Sequence, residues 1–338
     1  MAAKKSHRIL VFRMGAMGDI LFTTSALRGL RKKYPDSHIE YACLPKWKVL
    51  LRGNPNVDHV SGVAYYHMKA LGSLARKKWD ILINLQEGEK AARLCMIIPA
   101  LERRGNIIVD GVLAAAEGGY FISREPKDRL RQSREGVSIP ESFCRAAGVQ
   151  MDDGHFDFYP EPRAERKVLR FLKKNDLTLG PKPIAIHSFS RGSESRSWSF
   201  EKVKELVLAF PEENFVFIST KKDISAIDLQ DLPTNVVPFM GDLSKLAVLL
   251  RNCGLFVGTD SGPRHMASAM GVPIVWLCGA THPNIVPLRP REVPVLLPDD
   301  CHPCFLEKCP QKEKCLDRIP IEEIVQAMKT VLRGPDSV

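Results

Sequence analysis

No stretch of the 338 residues approaches the ~18 consecutive apolar positions that a membrane-spanning helix needs. The opening, Met1-Ala-Ala-Lys-Lys-Ser-His-Arg-Ile-Leu10, enters a strand pattern with no leader-like apolar region, so a cytoplasmic protein is expected. There is no repeat of 20 to 50 residues and no low-complexity tract, which excludes solenoids and arrays. The dinucleotide fingerprint is missing too: Gly15 and Gly18 have no third glycine at the required spacing, which disfavours a nicotinamide cofactor. An Asp-x-Asp metal motif is also lacking, since Asp152 and Asp153 are adjacent rather than spaced.

What is present is an ordinary globular composition, with 44% hydrophobic and 26% charged residues. The length favours two domains at ~100 to 200 residues each. A net charge of +10 points to anionic partners, and residues 1–165 hold 26 Lys+Arg against 19 Asp+Glu, or +7 of it. No nucleic-acid-binding module accompanies that charge, so no nucleic-acid partner is expected. Apolar periodicity gives strands at 8–13, 38–43 and 79–85 alternating with helices at 19–33, 45–52, 67–77 and 88–98, the pattern of a parallel sheet wrapped by helices. After a short run at Asn106–Val109, Asp110 to Pro140 reads as a long surface excursion with a basic segment, Ser123 to Arg134. That segment is either an acceptor- or membrane-facing element or a solvated loop. A second strand–helix series runs from Ile184 to residue 277, and a last helix covers Ile321–Leu332. The expected domains are 1–165 and 166–320, followed by 321–338 as a helix packing back on the first domain.

Three constellations carry chemistry. In Arg13-Met-Gly-Ala-Met-Gly-Asp19 a strand ends in a turn and an aspartate opens a helix. The two glycines allow a tight turn, and Asp19 either accepts a proton or caps the helix. Gly258-Thr-Asp-Ser-Gly-Pro-Arg-His-Met-Ala267 is a strand, a small-residue turn and a helix start, which suits a pyrophosphate or serves as an ordinary capped helix. The loop His187-Ser-Phe-Ser-Arg-Gly-Ser-Glu-Ser-Arg-Ser-Trp198 offers hydroxyls and guanidinium groups, which suit a diphosphate.

Taken together, these three motifs resemble the ADP-heptose lipopolysaccharide heptosyltransferases of glycosyltransferase family 9 over nearly the whole chain. The resemblance implies an α/β, GT-B type fold, with two Rossmann-like doubly wound domains facing each other across a cleft. It implies Asp19 as the catalytic residue. For the donor it implies Ser188, Ser190, Arg196, Asp223, Gly241, Asp260, Ser261, Gly262 and His265, and Gly15, Gly18, Arg124 and Arg129 are expected to bind the acceptor. Ser219-Thr-Lys-Lys-Asp223 departs from the family's Gly-rich turn and glutamate, and Asp223 is the available substitute.

The implied partners are an ADP-sugar donor, a lipopolysaccharide core acceptor and the anionic inner leaflet, where the protein would sit peripherally. Asp19 would take the acceptor's proton in an inverting displacement that requires no cofactor, while fixed positive groups receive the departing phosphate. Another nucleotide sugar on a different cell-surface glycan, or binding without turnover, are the competing readings. Separately, Cys301, Cys304, Cys309 and Cys315 place four thiols in 15 residues. Structural zinc is the leading reading, with an iron–sulfur cluster or disulfides as alternatives.

Overall fold

The structure, a computed structural model, describes residues 6–63, 68–190, 193–220, 231–297 and 301–333. It divides into two compact units, at Tyr159 and Pro160.

The first unit is built on a sheet of order β3-β2-β1-β4-β5-β6, from β1 (Arg8–Phe12), β2 (His38–Cys43), β3 (His59–Gly62), β4 (Trp79–Asn84), β5 (Ala100–Val109) and β6 (Val112–Ala115). Every position of β1 after the first is buried, as expected of a central strand covered on both faces. Its helices are α1 (Met17–Lys33), α2 (Met68–Ala75), α3 (Glu89–Met96), α4 (Pro126–Arg134) and α5 (Ile139–Ala147). The stretch expected to be a surface excursion therefore holds regular elements, β6, α4 and the start of α5, joined by irregular chain at 116–125. Asp110 and Gly111 take φ of 49° and 80° in the two-residue turn of an antiparallel β5–β6 hairpin, a conformation that an Asp-Gly pair favours. α5 is capped by the Ser138 hydroxyl, which accepts the Glu141 amide at 3.3 Å, and it ends on Gly148 in the left-handed region.

The second unit's sheet is wholly parallel, in order β12-β11-β10-β7-β8-β9. Its strands are β7 (Ile184–His187), β8 (Phe215–Ile218), β9 (Val236–Phe239), β10 (Leu255–Thr259), β11 (Ile274–Cys278) and β12 (Glu292–Leu296). The helices are α6 (Pro162–Lys174), α7 (Phe200–Leu208), α8 (Leu243–Arg251), α9 (Gly262–Ala269), the short α10 (Cys315–Arg318) and α11 (Ile321–Arg333). A boundary at 165 would cut α6, which packs against α8 and belongs wholly to this unit. The last helix is also corrected. Ile321, Ile324, Met328 and Val331 of α11 share one buried cluster with Leu206, Val275 and Val295, so the helix completes the second unit's own core.

Counted within its own unit, each sheet has the doubly wound order 3-2-1-4-5-6. The direction of winding reverses between β1 and β4 in one unit and between β7 and β10 in the other. Ligands collect at the carboxyl ends of the strands at such points, because the flanking helices diverge there and leave a crevice.

Candidate active site

In the first unit, the chain leaves β1 at the reversal point through Arg13 to Asp19. Gly15 sits at φ +148°, and a Cβ there would lie 2.5 Å from Trp47 Nε1, so this position admits only glycine. Gly18 lies inside the first turn of α1, and the tight turn expected of both glycines rests on Gly15. Asp19, third in that helix, accepts the Ala16 amide at 2.9 Å and so caps the helix from within. The same Oδ2 meets Arg13 Nη2 at 2.9 Å and Arg124 Nη2.

Arg13 is fully buried, packs 5.1 Å from the centre of the Phe143 ring, and donates to the Leu85 carbonyl at 2.7 Å and to the Glu87 carboxylate. Arg124 Nε reaches Glu87 at 2.6 Å, so two carboxylates share two guanidinium groups. A third guanidinium, Arg129 on α4, is 7% exposed and donates to the neutral Gln132 amide at 2.8 Å. Burial would raise the Asp19 pKa, but Arg13, then Arg124, then the Ala16 amide hold it well below the usual carboxylate range. Burial, with Arg13 and Arg124 nearby and Asp19 offsetting only in part, brings Arg129 down to about 10.

Arg124 and Arg129 are thus gathered around Asp19. On the rest of the basic segment, Lys127, Arg131 and Arg134 are exposed among Glu125, Asp128 and Glu135, so its outer face carries both signs. Glu87 was not singled out from the sequence. Gln86-Glu87-Gly88 carries no pattern of its own, and its signal is its place just after β4, beside β1.

In the second unit, Asp260 follows β10 and is nearly buried. Its Oδ2 pairs with Arg196 Nη1 at 3.1 Å and its Oδ1 faces His265 Nε2 at 3.4 Å. Burial opposes ionisation of Asp260, but His265, Arg196 and Arg264 hold its pKa far below the ordinary value. Arg264 Nη1 lies 3.3 Å from His265 Nδ1. A guanidinium can only donate, so Nδ1 accepts and the imidazole proton sits on Nε2, toward Asp260. Arg264 itself points inward. It is fully buried, stacks 3.9 Å from the Trp276 ring centre and pairs with Glu292 at 3.1 Å, so it orients His265 and does not line the edge.

Ser261 and Gly262 open α9 at the carboxyl end of β10, with Pro263 in the first turn. The hydroxyls of Ser188, Thr259 and Ser261 are buried and make no hydrogen bond among the described residues, so three unsatisfied polar groups gather at this edge. The Ser190 amide is held by Ser197 Oγ at 3.0 Å. Gly241 is exposed just past β9, two strands away from β7. Asp223 lies outside the described residues. A separate cavity of about 560 Å³, lined by Lys182, Arg251 and Arg291, sits at the opposite, amino-terminal edge of this sheet.

The cysteine-rich segment supports the Arg196 loop. Ser195 donates its amide to Glu307 O at 3.1 Å and its hydroxyl to Leu306 O. Lys314 Nζ reaches Ser197 O at 3.0 Å, and Asp317 accepts the Ser199 amide at 2.8 Å. Leu316 is fully buried, and a Cβ at Gly279 would come within 2.8 Å of both Leu316 Cγ and Ser195 O. Cys301, Cys304, Cys309 and Cys315 are all half-buried. Burial and then the other three thiols raise the Cys315 pKa. Among the described residues, no three His, Cys, Asp or Glu side chains are arranged to hold a metal ion.

A sequence profile of glycosyltransferase family 9 (heptosyltransferase) matches residues 145–315, just over half of the chain. Lipooligosaccharide heptosyltransferase 2 of Haemophilus influenzae is 24% identical over 309 residues, covering 82% of this chain and 85% of that protein. Lipopolysaccharide heptosyltransferase 3 of Escherichia coli (strain K12) is 22% identical over 302 residues, covering 78% and 80%. Among solved structures, a family 9 glycosyltransferase from Veillonella parvula superposes with a TM-score of 0.78 at 21% identity over 98% of this chain and 99% of that one. The E. coli ADP-heptose lipopolysaccharide heptosyltransferase II gives 0.70 at 16% identity over 96% and 98%. TibC, an iron-containing dodecameric glycosyltransferase of enterotoxigenic E. coli, gives 0.60 at 15% identity over 98% and 77%. At these identities the superpositions carry the fold, two Rossmann-like units of the GT-B type, and the profile carries the family. The chain belongs to glycosyltransferase family 9, the heptosyltransferase family, and is a glycosyltransferase.

Proposed function

We propose that this enzyme transfers heptose from ADP-heptose to the inner core of a lipopolysaccharide, with inversion at the anomeric carbon. One observation carries the reading. A half-buried carboxylate, Asp19, stands at the reversal point of the first unit, while unpartnered hydroxyls, Arg196 and a helix start stand at that of the second. The relatives named above supply the substrate class.

In the proposed step the acceptor O–H bond breaks and its proton goes to Asp19, while the acceptor oxygen bonds to the anomeric carbon. The bond from that carbon to the diphosphate breaks, and its electron pair leaves on a phosphate oxygen of ADP. Arg196, Ser188, Ser190 and the amides at Ser261 and Gly262 receive that charge, and His265 holds Asp260 in register. With these groups in place the step needs no divalent metal. Asp223 and Gly241 complete the proposed donor set, and Gly15, Gly18, Arg124 and Arg129 the acceptor set.

Calorimetry with ADP, UDP and GDP tests the donor: ADP should bind at least tenfold more tightly than the others. A preference for another nucleotide would make the chain a transferase of a different sugar. NMR of the product should show an anomeric configuration opposite to the donor's, and retention would overturn the mechanism.

We also propose a peripheral contact between the exposed Lys127, Arg131 and Arg134 and the anionic inner leaflet. The four cysteines are not arranged as metal ligands, but the other three thiols lie close enough to raise the Cys315 pKa, and we propose that the four converge on a structural zinc. Four thiolates would satisfy tetrahedral zinc, and the metal would stiffen the segment under Arg196 without touching substrate.

A further inference from the structure

We propose that Arg124 is an acceptor-operated clamp on Asp19: it masks the carboxylate in the empty site, and an oxyanion on the acceptor draws it away so that Asp19 can take the hydroxyl proton. This rests on the transfer reading above and concerns its proton acceptor.

The two arginines on Asp19 are held very differently. Arg13 is fixed by complete burial, the Phe143 ring, the Leu85 carbonyl and Glu87. Arg124 comes from the segment before α4, its side chain is 48% exposed, and its guanidinium is split between Asp19 and Glu87. An ion pair that open to water is weak and exchanges partners at little cost. Close by, Arg129 is a nearly buried guanidinium whose hydrogen-bond partner is a neutral amide. Among the described residues, three guanidinium groups therefore face two carboxylates and Arg129 has no ion-pair partner, and a buried cation without its own counter-ion favours the entry of an anion. An oxyanion settling beside Arg129 would meet that charge and give Arg124 a partner other than Asp19.

The exchange matters because a carboxylate gripped by two guanidinium groups and an amide is a poor proton acceptor. The groups facing Asp19 are Arg13 from the end of β1, Tyr41 from β2, Glu87 after β4, and Arg124 and Arg129 on and before α4. Tyr41 is kept neutral by burial, and Arg124 is the most exposed of the set. Losing its charge raises the proton affinity of Asp19, tenfold for each pH unit. The enzyme should therefore favour acceptors that carry a phosphate or carboxylate near the reacting hydroxyl.

The test follows the Asp19 carboxyl by 13C NMR in protein labelled at aspartate, with Asp19→Asn to assign the signal. Titration runs from pH 7 to the acid limit of the fold, with inorganic phosphate or with chloride at equal ionic strength. In chloride the wild type should not titrate, whereas Arg124→Gln should titrate in that window. Phosphate should move the wild type toward Arg124→Gln, leave that variant unchanged, and move Arg124→Lys less. Phosphate leaving the wild type unmoved, or Arg124→Gln behaving as wild type, overturns the clamp.

The kinetic arm uses acceptors with phosphate removed or carboxylate reduced to alcohol, and whichever change lowers wild-type kcat identifies the oxyanion. Arg124→Gln should turn over the stripped acceptor about tenfold faster than wild type, with a raised KM for the intact one. A lower kcat on both acceptors would make Arg124 a binding residue only and overturn the clamp. If the wild type transfers to neither acceptor, the transfer reading fails, and the NMR arm still decides the clamp.

Discussion

A single oxygen of Asp19 receives the Ala16 amide, Arg13 and Arg124, so capping and charge pairing coexist with the proposed catalytic role. Asp19→Asn should keep the side chain's shape but remove its proton affinity, lowering kcat by ~100- to 10,000-fold. Donor affinity should stay within about twofold, because the proposed donor groups all lie in the second unit. Steady-state kinetics with calorimetry check both, and near-normal turnover would leave Asp19 a cap alone. Arg196→Ala should weaken ADP-sugar binding and slow turnover by about 10- to 100-fold, the usual worth of a charged hydrogen bond. Arg196→Lys should recover part of the loss, and unchanged values in Arg196→Ala would make it a surface residue. The positions of Asp19, Asp260 and His265 were legible because a strand, a small-residue turn and a helix start fix where the next polar side chain emerges. The position of Glu87 beside Arg13 was not, since it depends on β4 lying beside β1, a long-range pairing. Nor was the inward turn of Arg264, which depends on Glu292 and Trp276.

Among elements, those with strong apolar periodicity were readable, and those defined by caps and turns were not. Asp110-Gly111 and the Ser138 to Gly148 cap pair are local signals that apolar spacing alone passes over. The final helix was read at Ile321–Leu332, but the surface it covers is set by tertiary packing. The cysteine segment shows the same limit: its spacing suggests a metal, while its backbone carbonyls, Lys314 and Asp317 grip the Arg196 loop. Protein purified under reducing conditions should contain about one zinc per chain. Removing the metal should speed amide exchange across 193–199 and raise the KM for donor, with exchange around Asp19 unchanged. Metal-free protein with four titratable thiols and an unaltered 193–199 segment would reject the site.

At the scale of the whole molecule, two sheets of identical strand order offer two reversal points, one carrying the proposed acceptor chemistry and the other the proposed donor chemistry. The doubly wound class could be read from the alternation of strands and helices, whereas the boundary set at 165 falls inside α6, a helix that belongs wholly to the second unit. The net charge of +10 leaves room for a surface role as well. Vesicles with anionic lipid should sediment the protein, more weakly as salt rises, at ~1 kcal/mol per basic residue engaged. Neutralising Lys127, Arg131 and Arg134 should reduce that binding, and equal sedimentation on neutral vesicles would remove the membrane contact.

Incubation of the purified enzyme with ADP-heptose and a set of truncated lipopolysaccharide acceptors, followed by mass spectrometry, tests the central claim most directly. The account predicts that one acceptor gains the mass of a single heptose, that ADP is released in equal amount, and that Asp19→Asn gives neither product at a comparable rate. Tight binding of ADP-heptose with no mass gain on any acceptor would contradict it.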